Sequence, residues 1–272
     1  MSRRVLVYGP AYLDRVLRVD GPLVDPSQGG PLDRSMEARG LSGDGSSLRL
    51  VDSRGSILEI EPPPLWPGPG GSLRLAGALV TPGGWSRQVR GTDWLDDLGG
   101  MGAGYAKALN GVLVSALGAE SDPMSTRIRD LMDEAAVINR PVRVPDRAAD
   151  WTLLVTSGAS GDKLPIGFRG CHAALSELST PASLDLDPDV IVAAGLGNAL
   201  VEPIFRAAPN AVRVWAPSLR CLTDSSFPAS RLAGLVDVMA CNREEWAALE
   251  DREALEESVW VRSVTHGPRG AH

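Results

Sequence analysis

The chain predicts an α/β fold: a mostly parallel sheet covered by helices, with a β-rich insertion. Three observations point there. From Asp189 onward, apolar runs alternate with helical stretches. Segments 190–194, 212–216, 236–240 and 259–264 read as buried strands, and 199–207, 228–234 and 243–250 as the helices between them. Repeated βα units imply a parallel sheet with both faces covered. A lone apolar run at 5–8 opens the chain as a first strand, and a helix of small residues follows a glycine run at 99–104. Finally, 272 residues that are 43% hydrophobic and 22% charged suffice for a large domain with an ample core.

Element by element, the first strand ends at Gly9-Pro10, Asp14 follows, and 16–19 reads as a second strand. Residues 21–98 change character, being rich in Gly, Pro, Ser and Asp. Within them, 47–51 and 56–60 flank Asp52-Ser53-Arg54-Gly55, a good hairpin turn, and 72–80 reads as a further strand. This stretch is expected to be a lid or subdomain inserted into a single domain spanning 1–272. Helices are expected at 105–117 and 123–136, and strands at 141–144, 151–156 and 164–168. The last two strands are joined by a turn at 157–162.

The net charge of −7 disfavours non-specific binding to nucleic acid or an anionic membrane. The opening apolar run is too short for a signal peptide or a membrane span. Cys171, Cys221 and Cys241 are odd in number and lack metal-ligand spacing, which points to a reducing cytoplasm. His172, His266 and His272 have no sequence partners that would make a hydrolase triad.

Four constellations carry chemistry, each with a structural alternative. Asn242-Arg243-Glu244-Glu245 follows a strand; its oxygens suit a hydrated Mg²⁺ beside a phosphate, and the same spacing suits a helix capping box. Thr265-His266-Gly267-Pro268-Arg269-Gly270 follows the next strand and reads either as a phosphate-approaching turn or as an ordinary βα or ββ turn. Gly99-Gly100-Met101-Gly102-Ala103-Gly104 either lets a ligand lie against a helix N-terminus or packs that helix closely on the sheet. Asp14 either binds sugar hydroxyls or is a solvated carboxylate. A dinucleotide-binding reading is weak. Leu200 stands where Gly195-Leu196-Gly197 would need a third glycine or alanine, and the next strand ends in Trp215-Ala216-Pro217 without a ribose-binding acid.

Taken in order, these residues resemble the ribokinase-like carbohydrate kinases, the phosphofructokinase B type. The resemblance covers 1–20 and about 99–272 and implies a ribokinase-like fold. It implies transfer of the γ-phosphoryl of ATP, with Mg²⁺, to a hydroxyl of a sugar or nucleoside. By the same resemblance Asp14, Gly99, Gly100, Met101 and Gly104 would contact substrate. Asn242, Thr265, Gly267 and Gly270 would line the nucleotide phosphates, and Asn242 and Glu245 would serve the metal. Members of the family often dimerise through the lid.

Three departures accompany it. The 85 positions from Asp14 to Gly99 imply a large lid insertion. Gly104 stands where the signature has Asn, and Met101 where a polar residue is common. The family's Gly-Ala-Gly-Asp-like segment, with its catalytic Asp, is expected beyond His272; Gly158-Ala159-Ser160-Gly161-Asp162 reads instead as a hairpin turn. The expectation is therefore a C-terminally truncated, weakly active or inactive kinase of poor solubility. The alternative is a non-catalytic sugar-binding protein on a degenerate kinase scaffold.

Overall fold

A computed structural model describes residues 4–19, 37–41, 48–51, 57–61, 74–75, 91–158, 163–168, 170–175, 185–250, 252–266 and 270–271. In chain order the first elements are β1 (Val5–Tyr8), β2 (Tyr12–Val19), β3 (Glu37–Leu41), β4 (Leu48–Val51), β5 (Ile57–Glu61), β6 (Arg74–Leu75) and β7 (Gly91–Gly99). Next come α1 (Met101–Leu109), β8 (Val112–Val114), β9 (Ala116–Leu117), α2 (Pro123–Glu134), β10 (Val142–Arg143), β11 (Trp151–Ser157) and β12 (Lys163–Phe168). The last part holds β13 (Val190–Ala194), α3 (Asn198–Arg206), β14 (Val212–Ala216), α4 (Leu219–Leu222), β15 (Val238–Asn242), α5 (Arg243–Ala248), α6 (Arg252–Ser258) and β16 (Val261–Thr265). Among the described residues no helix is long and apolar enough to cross a membrane.

The chain divides into two compact units. One comprises Met1–Tyr12, Leu98–Ala149 and Gly170–His272; the other comprises Leu13–Asp97 and Asp150–Arg169. The first unit is built on a six-stranded sheet in the order β16-β15-β14-β13-β1-β8, and every pairing in it is parallel. Its strands are apolar almost throughout, as a sheet covered on both faces requires. One face contributes Tyr8, Ala193, Trp215, Met239 and Val264 to a core completed by Val201, Ile204 and Phe205 of α3, all of them essentially buried. Each large apolar side chain so buried contributes roughly 1.5–3 kcal/mol.

Local signals set the helix ends. Asp122 caps α2: its carboxylate accepts from the backbone N–H of Met124 (3.3 Å) and Ser125 (3.0 Å), and Pro123 occupies the first turn, where no donor is needed. The helix expected at 105–117 is corrected to α1 followed by a strand. Asn110 adopts a left-handed conformation (φ 51°), and the N–H of Gly111 bonds back to Ala106, closing the helix. The β-branched run after it then pairs with β1 as β8. The strand expected at 236–240 lies at Val238–Asn242, because Asp237 is held by Arg213 at the strand's threshold. The strand expected at 259–264 lies at Val261–Thr265 and is preceded by the unforeseen α6.

The second unit contains a sheet in the order β12-β11-β2-β7 and a second, antiparallel sheet in the order β3-β4-β5-β6. Strands β4 and β5 pair antiparallel, as the expected hairpin requires; its turn at 52–55 lies outside the described residues, as do 72–73 and 76–80 of the strand expected at 72–80. Strands β11 and β12 likewise pair antiparallel, and β11 runs parallel to β2. A buried fork fastens β2 to β7: Arg15 Nε and Nη2 donate to Asp96 Oδ1 and Oδ2 at 2.7 and 2.9 Å.

Candidate functional site

Open parallel sheets bind ligands outside the carboxyl ends of their strands, where the strand order reverses. In the first unit β8 lies on one side of β1, while β13 to β16 extend from the other. The reversal therefore falls between β1 and β13. Gly9 follows β1, Gly195 (φ +63°) follows β13, and the amino end of α1 sits there, with Ala103 N–H donating to Pro10 O at 3.2 Å.

The two readings of the glycine run divide residue by residue. A Cβ on Gly102 would lie 2.4 Å from the carbonyl carbon of Gly9, and one on Gly100, whose φ is +95°, 2.3 Å from Pro10 O. These glycines exist for close backbone packing. Met101 and Gly104 face outward: Met101 is 37% exposed, and a Cβ on Gly104 would meet nothing within 4 Å. Gly99 ends β7 and is half-buried. Residues 95–98, just before it, belong to the same strand.

Asn242 and Thr265 end adjacent strands and are register partners across the β15–β16 ladder. Glu245 completes the capping box of α5. Asn242 Oδ1 accepts from Glu245 N–H at 2.9 Å, and Glu245 Oε2 accepts from Asn242 N–H at 2.8 Å. Beyond Thr265 the chain turns back: Gly270 is left-handed (φ +84°), its carbonyl accepts from His266 N–H at 2.7 Å, and Thr265 bridges antiparallel to Ala271. The turn is of the ββ kind, and Gly267 lies outside the described residues. Asp14 is carried by β2 of the second unit, half-buried and in register with Thr152 of β11.

Electrostatics add a residue that sequence reasoning missed. Burial first, and then the charges of Glu245 and Cys241, raise the Tyr105 phenol, so this α1 residue lies within electrostatic reach of the Asn242–Glu245 turn. Only the fold brings them together; the sole local hint is that Tyr105 stands one helical turn after Met101. Burial, reinforced by Glu245 and opposed by Arg262, pushes the Cys241 thiol up to about 11, so it stays protonated at neutral pH and is a poor nucleophile.

A cavity of about 400 Å³ lies beyond the carboxyl ends of β13 and β14, lined by Gly197, Arg220, Thr223 and Asp224. Of the sequence motifs, the Gly195-Leu196-Gly197 run reaches it, through Gly197. Asn198 fixes its wall by donating from Nδ2 to Cys221 O (2.7 Å) and Phe227 O (2.9 Å).

No protein-family model matches the chain, and no curated protein matches it in sequence. Solved structures do match. A ribokinase from Giardia lamblia is 13% identical with a TM-score of 0.58, covering 100% of this chain and 71% of its own. Phosphofructokinase-2 from Escherichia coli, in its tetrameric inhibited form, is 15% identical with a TM-score of 0.57, covering 99% and 75%. The adenosine kinase of Sinorhizobium meliloti is 14% identical with a TM-score of 0.60, covering 100% and 76%. At such identities the likeness speaks to architecture: the chain has the ribokinase-like carbohydrate kinase fold.

Proposed function

We propose that this protein belongs functionally with the sugar and nucleoside kinases, moving the γ-phosphoryl of ATP to a substrate hydroxyl. The observation that carries the reading is the register of Asn242 with Thr265, which aligns two oxygen-bearing turns at the carboxyl ends of neighbouring parallel strands. The kinase fold supports it. Met101 and Gly104, the outward members of the Gly99–Gly104 run, form the substrate side with Gly99 and Gly100, and Asp14 holds a substrate hydroxyl by resemblance. Asn242, Thr265 and Gly270 would line the phosphates, and by resemblance Gly267 would join them.

The donor set suits Mg²⁺, which prefers oxygen and keeps several waters. Asn242 Oδ1 and Glu245 Oε2 are engaged in the cap. Glu245 would serve the ion with its other carboxylate oxygen, Oε1. Bound there, Mg²⁺ would neutralise phosphate charge. The chain's own contribution is positioning: the cap fixes the Glu245 carboxylate, and the ladder fixes the Thr265 backbone opposite Asn242.

Glu245→Gln is the cleanest test, because Gln also completes a capping box. The expected result is calorimetric binding of ATP that requires Mg²⁺, weakened about tenfold in the variant at unchanged Tm, as loss of one charged hydrogen bond implies. A second reading, a non-catalytic sugar-binding protein, is favoured by the closed cap itself, which already satisfies both side chains. Heat from ribose or adenosine but none from Mg²⁺ and ATP selects it.

A further inference from the structure

A second cleft lies away from the strand ends, between the α5–α6 layer and the edge strand β16. Its volume is about 280 Å³. Met239 and Leu255, each 1% exposed, form the floor, and Trp246 and Trp260 contribute walls. Trp260 is 76% exposed, the most exposed of the large hydrophobic side chains among the described residues. A lone exposed apolar residue needs no explanation, but an exposed indole lining a cavity with an apolar floor offers a stacking surface.

The rim is polar and organised. Arg262 lies over the Trp246 ring with its guanidinium carbon 4.3 Å from the centroid, and its Nη1 donates to Glu256 Oε1 at 2.6 Å. Both side chains keep about two-fifths of their surface in solvent (40% and 41%). The mouth thus presents N–H donors beside a carboxylate acceptor, its two charged lining side chains of opposite sign; the Arg252 guanidinium, outside the lining, also lies over the Trp246 ring at 5.7 Å. A free carboxylate or ammonium group would meet one like charge at this rim. A neutral amide offers its carbonyl to Arg262 and its NH₂ to Glu256 at once. Arg262 stands three residues before Thr265, about 10 Å along the strand, and Trp246 follows Glu245 directly, so the cleft adjoins the Asn242–Thr265 turns without sharing a lining residue with them.

We propose that this cleft binds a small, uncharged, flat aromatic ligand carrying a carboxamide-like edge, its ring against Trp260 and over Met239 and its amide at the Arg262–Glu256 pair. The proposal is independent of the phosphotransfer reading. The test is a ¹⁹F NMR titration of the full chain labelled with 5-fluorotryptophan, using benzamide as probe. Seven tryptophans report, and the Trp246 and Trp260 resonances are identified by their loss in Trp246→Phe and Trp260→Phe. Saturable shifts of those two resonances are expected, with toluene, which lacks the amide, binding about tenfold more weakly. Arg262→Met should weaken benzamide by a similar factor. The proposal is overturned if benzamide produces no saturable shift, or if toluene binds as well as benzamide. Should Arg262→Met fail to fold, the benzamide–toluene comparison on the unmodified chain decides.

Discussion

The two ends of the six-stranded sheet use polar residues in opposite ways. At the amino end, charges are spent on one another. The Asp237 carboxylate accepts from the Arg213 backbone N–H (2.7 Å), Nε (2.9 Å) and Nη2 (2.8 Å), tying the start of β15 to β14. Arg4, just before β1, donates its N–H to Asp189, just before β13, at 2.8 Å. At the carboxyl end, Met101, Gly104, Asn242 and Thr265 are exposed to solvent. Polar groups that satisfy each other stabilise the fold; at the carboxyl end Asn242 is engaged in its cap, while the exposed Thr265 ends its strand beside it. Under the proposed function, one end of the sheet serves stability and the other recognition.

The sharpest way to break that contrast is at Asp237. Both partners are largely buried, with side-chain exposures of 16% for Arg213 and 6% for Asp237. Asp237→Ala leaves the guanidinium uncompensated and should cost about 3–5 kcal/mol in denaturant unfolding. Arg4→Ala keeps the backbone bond to Asp189 and removes only the solvent-exposed ion pairing of the Arg4 guanidinium, chiefly with Asp187 (3.1 Å), so it should cost under about 1 kcal/mol. Equal losses would dissolve the distinction between the clamp and the surface pairs. The clamp also predicts an acid limb. Burial alone would disfavour the Asp237 carboxylate, but the hydrogen bonds and charge of Arg213 prevail and hold its pKa below the usual range. A group with a depressed folded-state pKa contributes stability that is full above the unfolded value of about 3.9 and is lost as pH falls through the folded one. Asp237→Asn should be less stable at neutral pH and lack that component of acid sensitivity.

Next in size is Gly102, where the two ends' logics meet. Its added Cβ would lie 2.4–2.7 Å from the Gly9 backbone, and backbone on both sides has nowhere to go. Gly102→Ala should cost about 3 kcal/mol by overpacking and loosen α1 from β1. A melting temperature equal to that of the unmodified chain would show that α1 is not seated as the glycine contact implies.

Much of the first unit was legible because its signals are local. Segments 190–194 and 212–216 are apolar runs bounded by Asp, Gly or Pro, and they appear as β13 and β14 with those bounds. Asn242 and Thr265 could be flagged because each closes an apolar run. The misreadings also have local causes. Val112–Val114 continued an apolar stretch from α1, and the Asn110-Gly111 stop was overlooked. Helix α6 buries only Leu255, so it carries no apolar stripe to detect. Tyr105 and the Arg15–Asp96 fork were beyond reach: the first depends on which strand neighbours α1, and the second joins residues 81 positions apart.

Gly104 gives the smallest effect and the most discriminating one. It sits in the first turns of α1, two positions from Gly102 on the same helix, yet a Cβ there meets nothing within 4 Å. A glycine in a helix costs about 0.5–1 kcal/mol relative to alanine, because its backbone loses more freedom on folding. Gly104→Ala should therefore stabilise the protein by about that amount, opposite in sign to Gly102→Ala. If the outward face of the Gly99–Gly104 run receives a sugar or nucleoside, the same methyl intrudes on the ligand, and calorimetric affinity for ribose or adenosine should fall while the melting temperature rises. A stabilised variant that binds unchanged would leave Gly104 as a residue of neither packing nor recognition, and the substrate side would then have to be sought at Met101.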